Sequence, residues 1–149
     1  MTLIHASCVQ LVEAGFLLRG PSGSGKSDLA LRLIDRGAML VADDYVEIRL
    51  ADGQAVARPP ERLAGLLELR GAGLMRMPWL PATRLHLVVD LVARADVPRM
   101  PAPETVGIAG ARLRRIALHA FDASTPAKIR LLAERIAAAG ESCHDSVPA

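Results

Sequence analysis

Residues 20 to 27 read Gly-Pro-Ser-Gly-Ser-Gly-Lys-Ser, a Gly-x-x-x-x-Gly-Lys-Ser spacing suited to holding a chain of phosphates. Glycines let successive backbone N–H groups curl around an anion, and a helix that starts at the end of the loop adds positive potential from its N-terminus. Gly20, Pro21, Ser22, Gly23, Ser24 and Gly25 are the expected cradle. Lys26 is expected to reach the β and γ phosphates, and the Ser27 hydroxyl to join the shell of a Mg²⁺ ion. The implied chemistry is ATP binding with Mg²⁺ and transfer of a phosphoryl group.

A second constellation follows at Asp43-Asp44, directly after the apolar run Met39-Leu40-Val41-Ala42. Carboxylates at the carboxyl end of a strand beside a phosphate loop lie where open α/β sheets bind ligands. One can help hold the metal while the other accepts a proton from an attacking hydroxyl. His5 on an early apolar strand reads, on its own, as a hydrogen-bonded structural residue. Glu68 and Arg70 alternate with leucines in Leu-Leu-Glu-Leu-Arg-Gly-Ala-Gly-Leu, so one face is apolar and the other presents a carboxylate and a guanidinium; by itself that polar face reads as solvated. Arg112, Arg114 and Arg115 read as a solvated strand edge that blocks edge-to-edge pairing. His86, His119 and His144 show no ligand spacing, and Trp79 between two prolines is either a loop anchor or part of a subunit contact.

The elements that must carry these groups follow from periodicity. Residues 3–11 and 16–19 are short apolar strands joined by a tight connection at Glu13-Ala14-Gly15, the second running straight into the glycine loop. Leu29, Ala30, Leu33 and Ile34 then recur at helical spacing, with Asp28 in the first turn and Arg36-Gly37 as the stop: a helix of about three turns. Val46, Ile48 and Leu50 alternate with charged residues, Asp52-Gly53 is a hairpin turn, and residues 54–58 return. Residues 61–77 are open between helix and strand. Residues 85–89 are a strand closing on Asp90, residues 97–103 a proline-rich loop, and residues 105–118 one or two strands. A C-terminal helix runs from about Pro126 to Ala139, with Ser124 or Thr125 as N-cap and Gly140 as stop. The expected architecture is an α/β domain over residues 1–140, a mixed sheet with one helix after the phosphate loop and one at the end, and a flexible tail over 141–149.

The chain has 149 residues, 51% of them hydrophobic, with a formal net charge of +2. That suffices for one domain with a sizeable core and is too mildly basic to argue for nucleic acid. Cys8 and Cys143 stand far apart without metal-ligand or redox spacing, and no run approaches the ~18 apolar residues of a membrane span. A cytoplasmic protein without membrane partner is expected.

With these residues in place, the sequence resembles the HPr kinase/phosphorylase family, specifically its catalytic domain. The resemblance rests on a collinear set: His5, the loop from Gly20 to Ser27, the run Leu-Ile-Asp-Arg-Gly-Ala-Met-Leu-Val-Ala-Asp-Asp-Tyr-Val-Glu-Ile from Leu33 to Ile48, and Leu-Glu-Leu-Arg-Gly-Ala-Gly-Leu from Leu67 to Leu74. It implies a P-loop kinase that phosphorylates a serine of HPr, the phosphocarrier of the sugar phosphotransferase system, with possible reversal by inorganic phosphate. Carried over, His5 partners the catalytic carboxylate, Lys26 binds phosphate, and Ser27 and Glu68 hold metal. Asp44 exchanges the serine proton, Asp43 supports the metal shell, and Arg99 corresponds to a downstream active-site arginine. The resemblance also implies a homohexamer and a part for the C-terminal helix in docking HPr. Two departures stand out. His5 lies almost at the start, as in a short form without the family's N-terminal domain, and residues 119–128 depart from the segment that serves dephosphorylation. Two other readings of the loop are a small-molecule kinase and an ATP-sensing regulator without transfer. The complete set of His5, Lys26, Asp43, Asp44 and Glu68 argues against the second, and the short chain, with little room for a lid, against the first.

Overall fold

A computed structural model describes residues 1–140; the expected tail, with Cys143 and His144, lies outside the described residues. Two long strands organise the molecule. β1 (Thr2–Leu11) pairs antiparallel with β2 (Ala14–Arg19), and β2 pairs in parallel with β8 (Thr83–Leu91). The outer half of β1 also pairs with β4 (Tyr45–Ala51), which turns back into β5 (Gln54–Arg58), and β5 reaches the start of β8. The strands β2, β1, β4, β5 and β8 thereby close a ring. On one flank β3 (Met39–Ala42) adds to β1; on the other β10 (Ala111–Leu118) adds in parallel to β8 and β9 (Thr105–Ile108) covers β10.

Alternating side chains on the shared strands feed two cores. Cys8, Leu17, Val46, Ile48, Leu85 and Val88 point into the ring. Their neighbours Val9, Phe16, Leu18, Leu87 and Val89 face the helices α1 (Lys26–Asp35) and α2 (Thr125–Ala139), through Leu29, Leu33, Ile129 and Ala133. A mixed α/β sheet with two helices is therefore observed. Cys8 is a free thiol, pushed up by its complete burial. Among the described residues no helix is long and apolar enough to cross a membrane.

Several local expectations change. The first hairpin turns at Val12-Glu13, both with positive φ (49° and 64°), and Gly15 sits inside β2. A Cβ at Gly15 would lie 2.1 Å from the Arg84 carbonyl oxygen; glycine is needed there for close approach between strands, not for a turn. The open segment 61–77 resolves into a 3₁₀ turn at Glu61–Leu63 and a hairpin, β6 (Leu66–Leu69) with β7 (Gly73–Arg76), that forms its own small sheet against α1. Trp79 anchors its loop, forming a bridge with Leu40 and lying so close over Gly65 that a Cβ there would meet its Cδ1 at 2.8 Å. The arginines at 112, 114 and 115 are not on a sheet edge, because β9 covers that side of β10. α2 begins with Pro126 in its first turn, but neither expected N-cap side chain caps it; the Thr125 hydroxyl donates instead to the His119 carbonyl.

Candidate active site

The glycine loop spans from the end of β2 to the start of α1. Gly23 (φ 83°) and Gly25 (φ 96°) occupy left-handed backbone that costs most side chains on the order of 1–2 kcal/mol, and the Ser24 amide donates to the Pro21 carbonyl to curl the chain. An α-helix leaves its first N–H groups without intrahelical partners, and no side chain caps α1. Lys26 folds back over the loop, its Nζ donating to the carbonyls of Gly20 (2.6 Å) and Pro21 (3.1 Å). Burial pushes the Lys26 ammonium below its ordinary range, and the nearby charges of Asp43 and Asp44 offset this in part.

Asp43 and Asp44 diverge although they are adjacent. Asp43 is 4% exposed and turns inward, accepting from Ser7 Oγ (2.6 Å), from Ser27 Oγ (2.9 and 3.0 Å to its two oxygens) and from the Glu68 backbone N–H (3.1 Å). Every one of these donors is neutral. The Glu68 bond ties the β6–β7 hairpin to the end of β3. Asp44 takes a positive φ of 71°, which aspartate tolerates better than most residues, and this reverses its side chain to the surface. There its carboxylate lies 3.2 Å from His5 Nε2, with side-chain exposures of 62% and 41%. Pairing of β1 with β4 brings His5 opposite Tyr45, whose ring packs against the imidazole at 5.3 Å.

These groups line one cleft of about 540 Å³, together with Ser22, Gly25, Arg70 and Phe121. His5, Lys26, Ser27, Asp43, Asp44 and Glu68 are thus brought together; Arg99 is not, being exposed on the 97–103 connection and absent from the cleft lining. Sequence reasoning missed Ser7 and Phe121. Ser7 is a fully buried hydroxyl in an apolar strand, and its position two residues after His5 was the available signal: in a strand it shares the face of the histidine.

The residues fit a phosphate chain and a hard cation. Ser27 Oγ and the Asp43 carboxylate place oxygen donors side by side, the donor type Mg²⁺ takes. Glu68 lines the same cleft, although among the described residues no three His, Cys, Asp or Glu side chains are gathered as a ready-made metal site. Ser24 Oγ is buried without a partner at the loop, and Lys26 with the first-turn amides supplies the positive side.

On the opposite flank of β2 another carboxylate is arranged differently. Asp90, at the end of β8, receives Arg19 Nε (2.7 Å) and Nη2 (2.9 Å) and Arg115 Nε (2.7 Å), and Arg115 continues to Glu104 (3.0 Å). Burial alone pushes the Asp90 carboxyl up, but the bonds and charges of the two guanidiniums outweigh it and hold it below its ordinary value.

Comparison with known proteins identifies the family and the fold. Residues 1–100 match the family model described as the HPr serine kinase C-terminal domain. The chain is similar to HPr kinase/phosphorylase of Geobacillus thermodenitrificans, with 43% identity covering 60% of this chain and 32% of that protein. It is similar also to HPr kinase/phosphorylase of Clostridium beijerinckii, with 46% identity covering 50% and 24%. The chain thus spans about a third or less of the curated relatives it matches. A solved structure of the Hpr(Ser) kinase/phosphatase from Coxiella burnetii superposes with a TM-score of 0.81 at 26% identity, covering 90% of this chain and 95% of that one. The chain belongs to the HPr serine kinase C-terminal domain family.

Proposed function

We propose that this member of the family is an ATP-dependent protein-serine kinase whose acceptor is a serine of an HPr-like phosphocarrier. The observation that carries the reading is the division of labour between adjacent carboxylates, with Asp43 buried against Ser27 beside Lys26 and Asp44 exposed at the rim against His5. In this reading the loop amides and Lys26 bind the phosphates, and Ser27, Asp43 and Glu68 hold Mg²⁺. The bound cation supplies charge neutralisation on the phosphates. Asp44 takes the proton of the acceptor hydroxyl, and His5 orients that carboxylate and stabilises its charge when protonated. In-line transfer needs these groups positioned more than it needs covalent chemistry.

An open rim favours a macromolecular acceptor over a small one. Asp44 is mostly exposed, so a serine presented on a protein surface can reach it, whereas a small-molecule kinase needs an enclosure that excludes water. A homohexamer in the cytoplasm completes the reading. Reversal by inorganic phosphate would use the same site, with a protonated Asp44 as the acid that the leaving serine needs, although residues 119–128 depart from the segment that the family resemblance assigns to dephosphorylation.

Incubation with γ-labelled ATP, Mg²⁺ and an HPr-type carrier, beside a carrier whose acceptor serine is alanine, tests this. Label on the serine-bearing carrier alone is expected, and its release on adding phosphate would extend the reading to the reverse direction. ATP binding without any labelled carrier would return the site to the small-molecule-kinase or sensor readings.

A further inference from the structure

Phe121 is the aromatic side chain of the cleft for which phosphoryl transfer has no use. It lies on the connection between β10 and α2, 55% exposed, while the chain's other phenylalanine, Phe16, is fully buried. A lone exposed phenylalanine is ordinary; one fastened against a glycine loop is not. A Cβ at Gly25 would lie 2.8 Å from both Ala120 Cβ and Phe121 Cζ, so the connection packs directly on the last residue before α1.

The backbone on either side of the ring is tied down. Arg32 donates to the Ala120 carbonyl, Thr125 Oγ1 to the His119 carbonyl (2.5 Å), and Arg94 pairs with Asp122 (2.6 Å). The His119 imidazole, itself 2.9 Å from the Val92 carbonyl, meets the Phe121 ring edge-on at 5.9 Å. A ring held in this way is pre-organised and loses little conformational freedom when something flat settles on it.

The sheet order supplies the direction. Along the sheet the neighbours run β3, β1, β2, β8, β10. Asp43, Asp44 and His5 enter the cleft from β1 and the β3–β4 junction, on one side of β2, and Phe121 enters from beyond β8, on the other. A nucleotide whose terminal phosphate faces Asp44 sends its nucleoside end away from the carboxylates, and the β10–α2 connection with Phe121 lies on the side of the cleft across β2 from them.

We propose that Phe121 is the stacking platform for the purine base of the nucleotide. The inference rests on the kinase reading above and adds to it the residue that distinguishes a nucleotide from a bare phosphate chain. Because a ring recognises a π face and not a hydrogen-bond pattern, ATP and GTP should benefit alike.

The test is equilibrium binding of MgATP and of Mg-tripolyphosphate to the wild type, Phe121→Ala and Phe121→Tyr, each checked for an unchanged unfolding temperature. The Phe121→Ala variant is expected to bind MgATP about tenfold more weakly and tripolyphosphate as the wild type does, with Phe121→Tyr restoring ATP affinity. Unchanged ATP affinity in Phe121→Ala would overturn the proposal. An equal loss for both ligands would also overturn it, since the ring would then merely support the loop. A wild type that binds tripolyphosphate as tightly as ATP would sink the platform and leave the phosphate loop standing; one that binds neither would sink the kinase reading with it.

Discussion

Two aspartates end strands on either flank of β2, and they are treated oppositely. Asp90 is clamped by Arg19 and Arg115, so its charge is already answered by two cations. Asp43, more deeply buried, is held by two hydroxyls and an amide. A buried carboxylate is costly unless its charge is compensated, and neutral donors compensate only in part. Asp90 is therefore a finished structural contact, whereas the cation near Asp43 is the Lys26 ammonium, which interacts with it by charge and hydrogen-bonds instead to the loop carbonyls. In the proposed reading a bound cation completes its compensation. The contrast teaches that the nature of a carboxylate's donors separates structure from function better than its burial does.

Substitutions can break this comparison. The largest effect belongs to Asp44, the exposed partner of the pair: Asp44→Asn should slow transfer to the carrier by about 10²–10⁴-fold, the usual worth of a general base. Stability should change by less than about 1 kcal/mol, because its contact with His5 is largely in water. Single-turnover kinetics beside nucleotide binding checks this; lost binding would mean that Asp44 holds the ligand. Next comes Asp90→Asn, which leaves two partly buried guanidiniums without their shared anion and should cost about 2 kcal/mol of stability by denaturant unfolding, with MgATP affinity little changed. A variant of normal stability and lost affinity would erase the distinction between the flanks.

Two pH profiles sharpen the same contrast. The Asp90 carboxyl is held below its ordinary value, so its contribution is fully present above the ordinary carboxylate range and is lost as pH falls through the depressed folded value. The acid limb of the stability curve should therefore be shallower in Asp90→Asn. On the reacting flank, the Lys26 ammonium is pushed down by burial. Nucleotide affinity should decline as pH rises through that lowered value, before an ordinary lysine would lose its proton; titration of Kd against pH reads this directly.

What could be read from the sequence was whatever is local in the chain. The glycine loop, the helix after it, the Asp43-Asp44 pair and the Asp52-Gly53 hairpin are each written in a few consecutive residues and appear as expected. What depends on distant partners was not legible. Gly15 looked like turn punctuation because the carbonyl that demands it belongs to Arg84. Arg115 looked like a solvated edge because Asp90, which binds it, lies 25 residues away in the chain, and because the short hairpin with β9 was not evident within residues 105–118. Leu67-Glu68-Leu69 was ambiguous because a short apolar run fits a strand or a buried helix turn equally. Ser7 was read as part of an apolar strand, and only pairing of β1 with β3 and β4 shows it beneath Asp43.

The central claim, that Asp43 is left for a ligand's cation to complete, is tested most directly by thermal unfolding of the wild type and Asp43→Asn, each with and without MgATP. Without ligand, Asp43→Asn should be within about 1 kcal/mol of the wild type or more stable, since an amide can keep several of the same neutral partners without a buried charge. With MgATP at a hundred times the wild-type Kd, the wild type should gain about 2.7 kcal/mol, and the variant should gain far less. A variant that is strongly destabilised when free, yet still stabilised by MgATP as the wild type is, would show that Asp43 is a structural residue like Asp90 and would contradict the account.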